Sequence, residues 1–268
     1  MSAIIYKEGQ AYVLAGAKVY YNGQWLTLKD EDRIYADSEW HYIGYPAVSG
    51  VINVNSGQTR YNLTISAEQH MHVRSGGVAI STTIKRGGNT YVYSGGTVNF
   101  TTINPRGNLN VASGGTAQNI IENGGYVQVD DNAVVTFTPH AFRGLVLSGY
   151  ATVHSGTTAN STIVYSGGYL NVSSGGTANS TTVYSGGYLN VYHGAYTSIV
   201  TVNDGGRMYV NSGGTASGTT VNDGGLLIVL QSGSADTITV SSWGALIVSA
   251  GGTATNVNSR PGAVVSGL

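Results

Sequence analysis

The protein has 268 residues, of which only 9% are charged, and its formal net charge is -1 at pH 7. This balance excludes the basic surface of a protein that binds nucleic acid or an anionic membrane. The absence of cysteine excludes disulfides, thiolate catalysis and cysteine-bound metals, and no apolar stretch is long enough for a membrane span. With 40 glycines, 19 tyrosines and 4 prolines among many Val, Thr and Ile residues, the composition indicates folded β structure with many turns.

Residues 1–50 differ in composition from the remainder, since charged residues, Tyr and Trp are concentrated there. Asn22-Gly23 stands between Lys18–Tyr21 and Gln24–Leu28, an arrangement that predicts a β-hairpin. The charged run Lys29–Arg33 predicts a solvated turn. We expect residues 1–50 to form an N-terminal cap over an open strand edge. The first residues lack a basic start followed by an apolar core, so no signal peptide is expected.

Residues 51–268 carry an internal repeat of 19 residues, most visible where IVYSGGYLNVSSG at 163–175 becomes TVYSGGYLNVYHG at 182–194. Glycine pairs recur at alternating steps of 8 and 11 residues, which sum to the same period. The register slips near Gly124, breaks between about 130 and 155, and decays after Val248. We therefore expect repeats over 51–268 with an irregular insertion near 130–155, within a longer protein.

Aligned at this period, the repeats show three columns that we expect to point inward. The columns are Val54, Val73, Val92, Val111, Val172, Val191, Val210, Val229 and Val248, each preceded two residues earlier by an apolar residue or Thr90; Ile65, Ile84, Ile103, Ile121, Val164, Val183, Val202, Val221 and Val240; and Ala79, Val98, Ala117, Ala159, Ala178, Thr197, Ala216, Ala235 and Ala254.

Three inward columns separated by glycine turns predict a coil that closes once per repeat and stacks on its neighbours as parallel strands. The expected fold is an all-β, right-handed parallel β-helix, or β-solenoid, with about 19 residues per coil. A β-propeller is excluded because each of its blades takes about 40 residues or more. One coil buries too little apolar surface to be stable alone, so several coils must fold together.

The phrases at 175–183 (GGTANSTTV) and 183–191 (VYSGGYLNV) resemble the repeats of AIDA-type autotransporter adhesins. The resemblance covers 71–118 and 155–255 closely and 51–70 weakly. It implies a β-helical passenger, extracellular or on the bacterial cell surface, that mediates adherence and autoaggregation as a virulence factor. The family's signal peptide and translocator barrel are not recognisable here. The resemblance further implies O-heptosylation on repeat Ser and Thr by an autotransporter heptosyltransferase.

The alternative is a carbohydrate-active β-helix enzyme, a polysaccharide hydrolase or lyase, which would need converging carboxylates. Asp204 and Asp223 lie in register, but both occur in Asn-Asp-Gly-Gly, where Asp is a favoured turn residue. His70 and His72 share a face without an evident third metal ligand, and the segment 130–155 is the one place for a groove. We therefore expect a non-enzymatic scaffold with no catalytic residue, metal or cofactor.

Two sets of outward residues are candidates for function. The candidate O-glycosylation sites precede glycine at corners, where a hydroxyl would face solvent: Ser166, Ser174, Ser185 and Ser212. The candidate interaction surface consists of two columns of stacked tyrosines: Tyr165 with Tyr184, and Tyr169 with Tyr188. Expected partners are glycans or proteins of host or bacterial surfaces, further copies of the chain, and the heptosyltransferase. Nucleic acid and membrane insertion are not expected.

Overall fold

The computed structural model describes residues 50–267 in full and, before them, the backbone of six strands. By its contacts the chain divides into two compact units. The first unit comprises 1–102, 109–120 and 128–136, and the second comprises 103–108, 121–127 and 137–268. Each unit is described by itself.

The six N-terminal strands pair in an antiparallel manner. Ile4–Lys7, Gln10–Ala15, Lys18–Tyr21 and Gln24–Thr27 form one sheet in that order, and Arg33–Ala36 pairs with Glu39–Tyr42. Tyr21 is opposite Gln24, so the two strands flanking Asn22-Gly23 are neighbours. The predicted turn at Asn22-Gly23, most of the charged run Lys29–Arg33 and the capping contacts lie outside the described residues. The capping role therefore stays a prediction.

The coils that follow have three walls, here called A, B and C in chain order. In the earlier coils, wall A consists of Val51–Val54, His70–Val73, Asn89–Val92, Asn108–Val111 and Tyr126–Val129. Wall B consists of Thr59–Tyr61, Val78–Ile80, Thr97–Asn99, the first part of Thr116–Glu122, and Val134–Phe137. Wall C consists of Thr64–Ile65, Thr83–Ile84, Thr102–Ile103 and the end of Thr116–Glu122.

The later coils repeat this plan. Wall A consists of Tyr150–Val153, Tyr169–Val172, Tyr188–Val191, Arg207–Val210, Leu226–Val229, Ala245–Val248 and Val264–Ser266. Wall B begins with His140–Arg143, Thr157–Asn160 and Thr177–Asn179, and wall C with Val146–Leu147, Ile163–Val164 and Thr182–Val183. Tyr196–Val202, Thr215–Val221, Ser234–Val240 and Thr253–Ser259 then run through both walls without a break.

Every strand pair of the coils is parallel, and a residue lies beside its equivalent in the next coil, as Tyr169 lies beside Tyr188 and Val172 beside Val191. The chain is thus an all-β parallel solenoid of about 11 turns with about 19 residues per turn, which confirms the predicted fold class. The described residues include no helix, and hence none long and apolar enough to cross a membrane.

The predicted inward columns form the core. Val54, Val73, Val172 and Val191 are completely buried, as are most of their equivalents. One member was assigned wrongly: Ile121 is only half-buried, while Ile120 and Glu122 are buried. A fourth inward column, not predicted, begins wall C and mixes aliphatic residues with threonine: Leu63, Thr82, Thr101, Ile120, Thr162, Thr181, Val200, Thr219 and Ile238.

The glycine pairs form two of the three corners, and their two members have different roles. The first glycine has positive φ, as Gly175 has with +71°. The second glycine lies against the coil before it: a Cβ at Gly176 would collide with the carbonyl oxygen of Val153. The side chain is therefore excluded at one position by backbone conformation and at the other by lack of space.

The third corner, between walls B and C, also has a left-handed residue, but glycine is rare there. The described residues in this position are Asn62, Ser81, Phe100, Asn119, Ser161, Ser180, Ile199, Gly218, Thr237 and Asn256, with φ between +50° and +66°. Asn and Ser recur in this series, whereas Phe100 and Ile199 are apolar and exposed. Sequence analysis did not identify this corner because no glycine pair marks it.

The irregular segment 130–155 contains strands of its own: Val134–Phe137, His140–Arg143, Val146–Leu147 and Tyr150–Val153. His140 pairs with Thr157 and Val146 with Ile163, a spacing of 17 residues rather than 19. From Tyr150 onward, pairing with Tyr169 restores the usual spacing. The predicted break in the repeat is thus a coil of altered length.

Candidate functional site: corners and outer faces of the solenoid

The four candidate acceptor serines, Ser166, Ser174, Ser185 and Ser212, are all exposed at corners. Three of them lie beneath a glycine of the next coil. A methyl group at Gly186 would come 2.7 Å from Ser166 Oγ, and one at Gly194 would come 2.8 Å from Ser174 Oγ. Gly205 stands in the same relation to Ser185. Glycine above each hydroxyl therefore leaves space that any larger residue would fill.

Ser212 has a different environment. Its neighbour Gly213 donates its N–H to the carbonyl of Ser232, so serine rather than glycine occupies the corner of the next coil. Ser212 also lines an open groove of about 710 Å³ along this corner. The other residues lining the groove are Tyr192, His193, Asn211, Leu230, Gln231, Ser249 and Ala250.

The structure adds serines that the sequence analysis did not single out. Ser56, Ser75 and Ser94 lie beneath Gly76, Gly95 and Gly114 in the same geometry, and Ser155 lies beneath Gly175. All four are exposed. The 19-residue period would have identified them, since each is an equivalent of Ser174.

The candidate tyrosine columns are stacked as expected. The rings of Tyr165 and Tyr184 have centroids 5.1 Å apart at an interplanar angle of 15°, and those of Tyr169 and Tyr188 are 4.6 Å apart at 4°. Tyr165 and Tyr184 are 44% and 38% exposed. The stacking is shown, whereas the use of these rings as an interaction surface stays a prediction.

The Tyr169 column is longer than predicted. Tyr150 stacks on Tyr169 at 4.8 Å, Tyr126 meets Tyr150 edge-on at 5.9 Å, and the Arg207 guanidinium lies 5.7 Å from the Tyr188 ring centroid. Burial raises the pKa of the Tyr126 phenol, with smaller contributions from Tyr192 and Tyr150. Because the stacked rings cover one another's faces, the column presents ring edges and hydroxyl groups to solvent.

His70 and His72 belong to a second aromatic group. His72 stacks on Tyr91 at 5.2 Å, and its Nδ1 lies 2.9 Å from the hydroxyl of Tyr93. Burial lowers the pKa of His72, and Arg74 and His70 add to the effect. The described residues include no cluster of three or more potential metal-binding side chains. The histidines are thus part of an aromatic stack on wall A.

Asp204 and Asp223 are exposed in adjacent coils, and a side chain at Gly224 would meet the carboxylate of Asp204. Their corner carries the same ladder as its neighbours, with the Gly205 N–H donated to the carbonyl of Gly224. Both aspartates thus occupy ordinary corner positions, in line with the turn role considered from the sequence.

The irregular segment holds a buried polar cluster that sequence analysis missed. Glu122 is completely buried and accepts hydrogen bonds from Thr152 Oγ1 at 2.7 Å and from the backbone N–H of His154 at 2.6 Å. His154 Nδ1 lies 2.7 Å from Glu122 Oε1, and its ring stacks on Phe137 at 4.6 Å. Thr152 Oγ1 also accepts the N–H of Val127. The position was hidden because Ile121 was assigned to the column where the 19-residue period places Glu122.

Comparison with known proteins places these features in a family. Residues 184–225 match the family model described as "Adhesin of bacterial autotransporter system, probable stalk". The solved structure of a TibC-catalysed, hyper-glycosylated TibA fragment is 33% identical in sequence, over 82% of this chain and 93% of that fragment, with a TM-score of 0.43. The chain belongs to the AIDA family of autotransporter adhesins. No curated protein matched the sequence.

Membership in the AIDA family confirms the resemblance found in the sequence and decides between the two functions considered there. AIDA adhesin stalks are non-enzymatic passengers, so the chain is an adhesin passenger rather than a polysaccharide hydrolase or lyase. An AIDA passenger is secreted or displayed at the cell surface.

Proposed function

We propose that this adhesin passenger is modified with O-linked sugar at its corner serines by an autotransporter heptosyltransferase. The observation that carries the proposal is the space above the hydroxyl: Ser166, Ser174 and Ser185 are exposed and face glycine in the next coil. The related TibA fragment is glycosylated by TibC, and this chain has a similar sequence over most of its length.

The same geometry extends the acceptor set to Ser56, Ser75, Ser94 and Ser155. Inward hydroxyls are excluded as acceptors. Thr181 is completely buried in the core, where an attached sugar would have no room. Ser212 remains a candidate, but its coil above carries serine instead of glycine.

Co-expression with TibC, followed by intact mass measurement and peptide mapping, tests this proposal. We expect a mass increase by whole sugar units, located at exposed corner serines and absent from Thr181. A Ser174→Ala variant should lose the sugar at 174, and Gly194→Ala, which narrows the space above Ser174, should lower occupancy there. An unmodified mass, or modification confined to residues 1–50, would contradict the proposal.

We further propose that the outward face binds surface glycans or proteins and other copies of the chain. The tyrosine columns offer ring edges and a row of hydroxyl groups, which suit hydrogen bonding more than ring stacking. Cell–cell aggregation by a surface-displayed passenger, compared with a Tyr165→Ser/Tyr184→Ser variant, tests this role. Unchanged aggregation and adherence would remove these tyrosines from the contact surface.

A further inference from the structure

Trp243 is an exception in its series of corner residues. The equivalent position is Gly167, Gly186, Gly205, Gly224 and Gly262 in the other later coils, all with positive φ. Trp243 adopts the same conformation, with φ of +61°, although a bulky side chain disfavours it. Its side chain is 72% exposed. A strained and exposed tryptophan at a glycine position requires an explanation other than core packing.

The backbone of Trp243 does only what glycine does elsewhere. Its N–H is donated to the carbonyl of Gly262 at 3.1 Å, and its carbonyl accepts the N–H of Gly224 at 3.2 Å. Within residues 50–267, no aromatic ring stacks on the indole and no acceptor binds its N–H. The fold therefore has no evident use for this side chain.

The surroundings of Trp243 leave the indole open. The equivalent residues of the coils before and after it, Gly224 and Gly262, have no side chains to cover it. Nearby in the register lie exposed carboxylates at Asp204 and Asp223, the half-buried Ser242, and the exposed guanidinium group of Arg260. Arg207 lies in the coil of Asp204. The charges of these residues balance, so the surface offers hydrogen-bond donors and acceptors without a strong net charge.

We propose that the corner around Trp243 binds a neutral carbohydrate. A sugar ring has an apolar C–H face, which an open indole face can contact, and a rim of hydroxyl groups that both donate and accept hydrogen bonds. Asp223, Ser242 and Arg260 supply matching acceptors and donors. Tryptophan is also among the residues that contribute most at binding surfaces. The balanced charge disfavours strongly anionic or cationic ligands.

The proposal rests on the adhesive role of the passenger but not on the glycosylation of its corner serines. The test therefore uses the full chain produced without a glycosyltransferase. Methyl α-mannoside, lactose and N-acetyllactosamine serve as neutral probes, 3′-sialyllactose as the anionic probe and tetralysine as the cationic probe. Binding is followed by saturation-transfer NMR and by tryptophan fluorescence.

We expect at least one neutral probe to bind and to perturb the fluorescence of Trp243. Trp243→Gly restores the residue of the series, so it should leave the thermal midpoint unchanged or raise it while weakening binding about tenfold or more. Ile199→Asn, which removes an exposed apolar residue from a different corner, is the matched control and should bind normally.

Three results would overturn the proposal: no neutral probe binding at millimolar concentration, binding that persists in Trp243→Gly, or preferred binding of a charged probe. A large fall in thermal midpoint for Trp243→Gly would instead assign the indole a structural role. A failure of TibC to modify the serines would leave this result unaffected, so the two proposals fail separately.

Discussion

At the scale of single residues, the third corner shows how neighbouring coils impose a conformation that the local sequence disfavours. Ile199 has φ of +54° between Ser180 and Gly218, its equivalents in the adjacent coils. A β-branched side chain clashes with its own backbone in this region, whereas Asn and Ser tolerate it better. Because Ile199 is 65% exposed, burial does not offset this cost.

Replacing Ile199 with Asn should therefore stabilise the protein by about 1 kcal/mol, because it relieves left-handed strain without loss of core packing. Urea denaturation followed by circular dichroism measures the change. Val200→Asn is the matched control: this neighbour is 1% exposed, and the substitution should destabilise the protein. An Ile199→Asn variant less stable than the wild type would show that the side chain has a packing role.

The inward valine column predicts a second difference between neighbours. Val191→Asp places a carboxylate without a partner in the core and should lower the free energy of unfolding by several kcal/mol. Asn190→Asp removes only the hydrogen bond that Asn190 donates to Asn171, which is worth about 1 kcal/mol. Thermal midpoints measure both, and similar values would contradict the assigned register.

The columns could be predicted because a period of 19 residues aligns Val172, Val191 and their equivalents without knowledge of the structure. The third corner could not, because positive φ there is imposed by neighbouring coils and leaves no glycine pair in the sequence. Glu122 was missed because its apolar neighbour Ile121 was placed in the column. Tyr150 was missed because the altered coil obscures the register between Tyr126 and Tyr169.

At the scale of structural elements, the two glycines of each corner should differ in their response to alanine. Gly167→Ala adds a methyl group in open space and should cost about 1 kcal/mol, from positive φ alone. Gly176→Ala places a methyl group against the Val153 carbonyl, so the coils must separate and the cost should be larger. Chemical denaturation of both variants tests this order, and equal costs would contradict it.

The Glu122 cluster ties residues 121–127 to the strand that resumes the regular repeat at Tyr150. Glu122→Ala leaves the buried hydroxyl of Thr152 and the N–H groups of His154 without their acceptor, and should cost about 3–5 kcal/mol. In the double variant Glu122→Ile/Thr152→Val, both polar partners become apolar, so part of this loss should be recovered. A loss below 1 kcal/mol for Glu122→Ala would show that the cluster is not needed for stability.

At the scale of the whole molecule, the solenoid should tolerate changes in the number of coils but not in their register. Deleting residues 176–194 removes one complete repeat and brings Ala195 to the position of Gly176. We expect the β-type circular dichroism spectrum to be retained and the urea m-value to fall slightly, because less surface is exposed on unfolding.

Deleting residues 176–184 is the control, because it removes about half a repeat and brings outward residues to inward columns. This variant should lose cooperative unfolding. Equal tolerance of the two deletions would show that stability does not depend on the stacking of equivalent residues.

The hydrogen-bond ladder at the corners has a mechanical consequence. From Gly167 through Gly186, Gly205 and Gly224 to Trp243, each N–H is donated along the stacking direction to the carbonyl of the next coil. A force pulling the chain ends apart would therefore open this ladder one coil at a time. A coil of about 19 residues occupies about 5 Å when stacked and extends to about 65 Å when released. A bacterium held by such a stalk against flowing liquid would yield in steps, with each opened coil lengthening the tether and lowering the tension before the attachment at its end is lost.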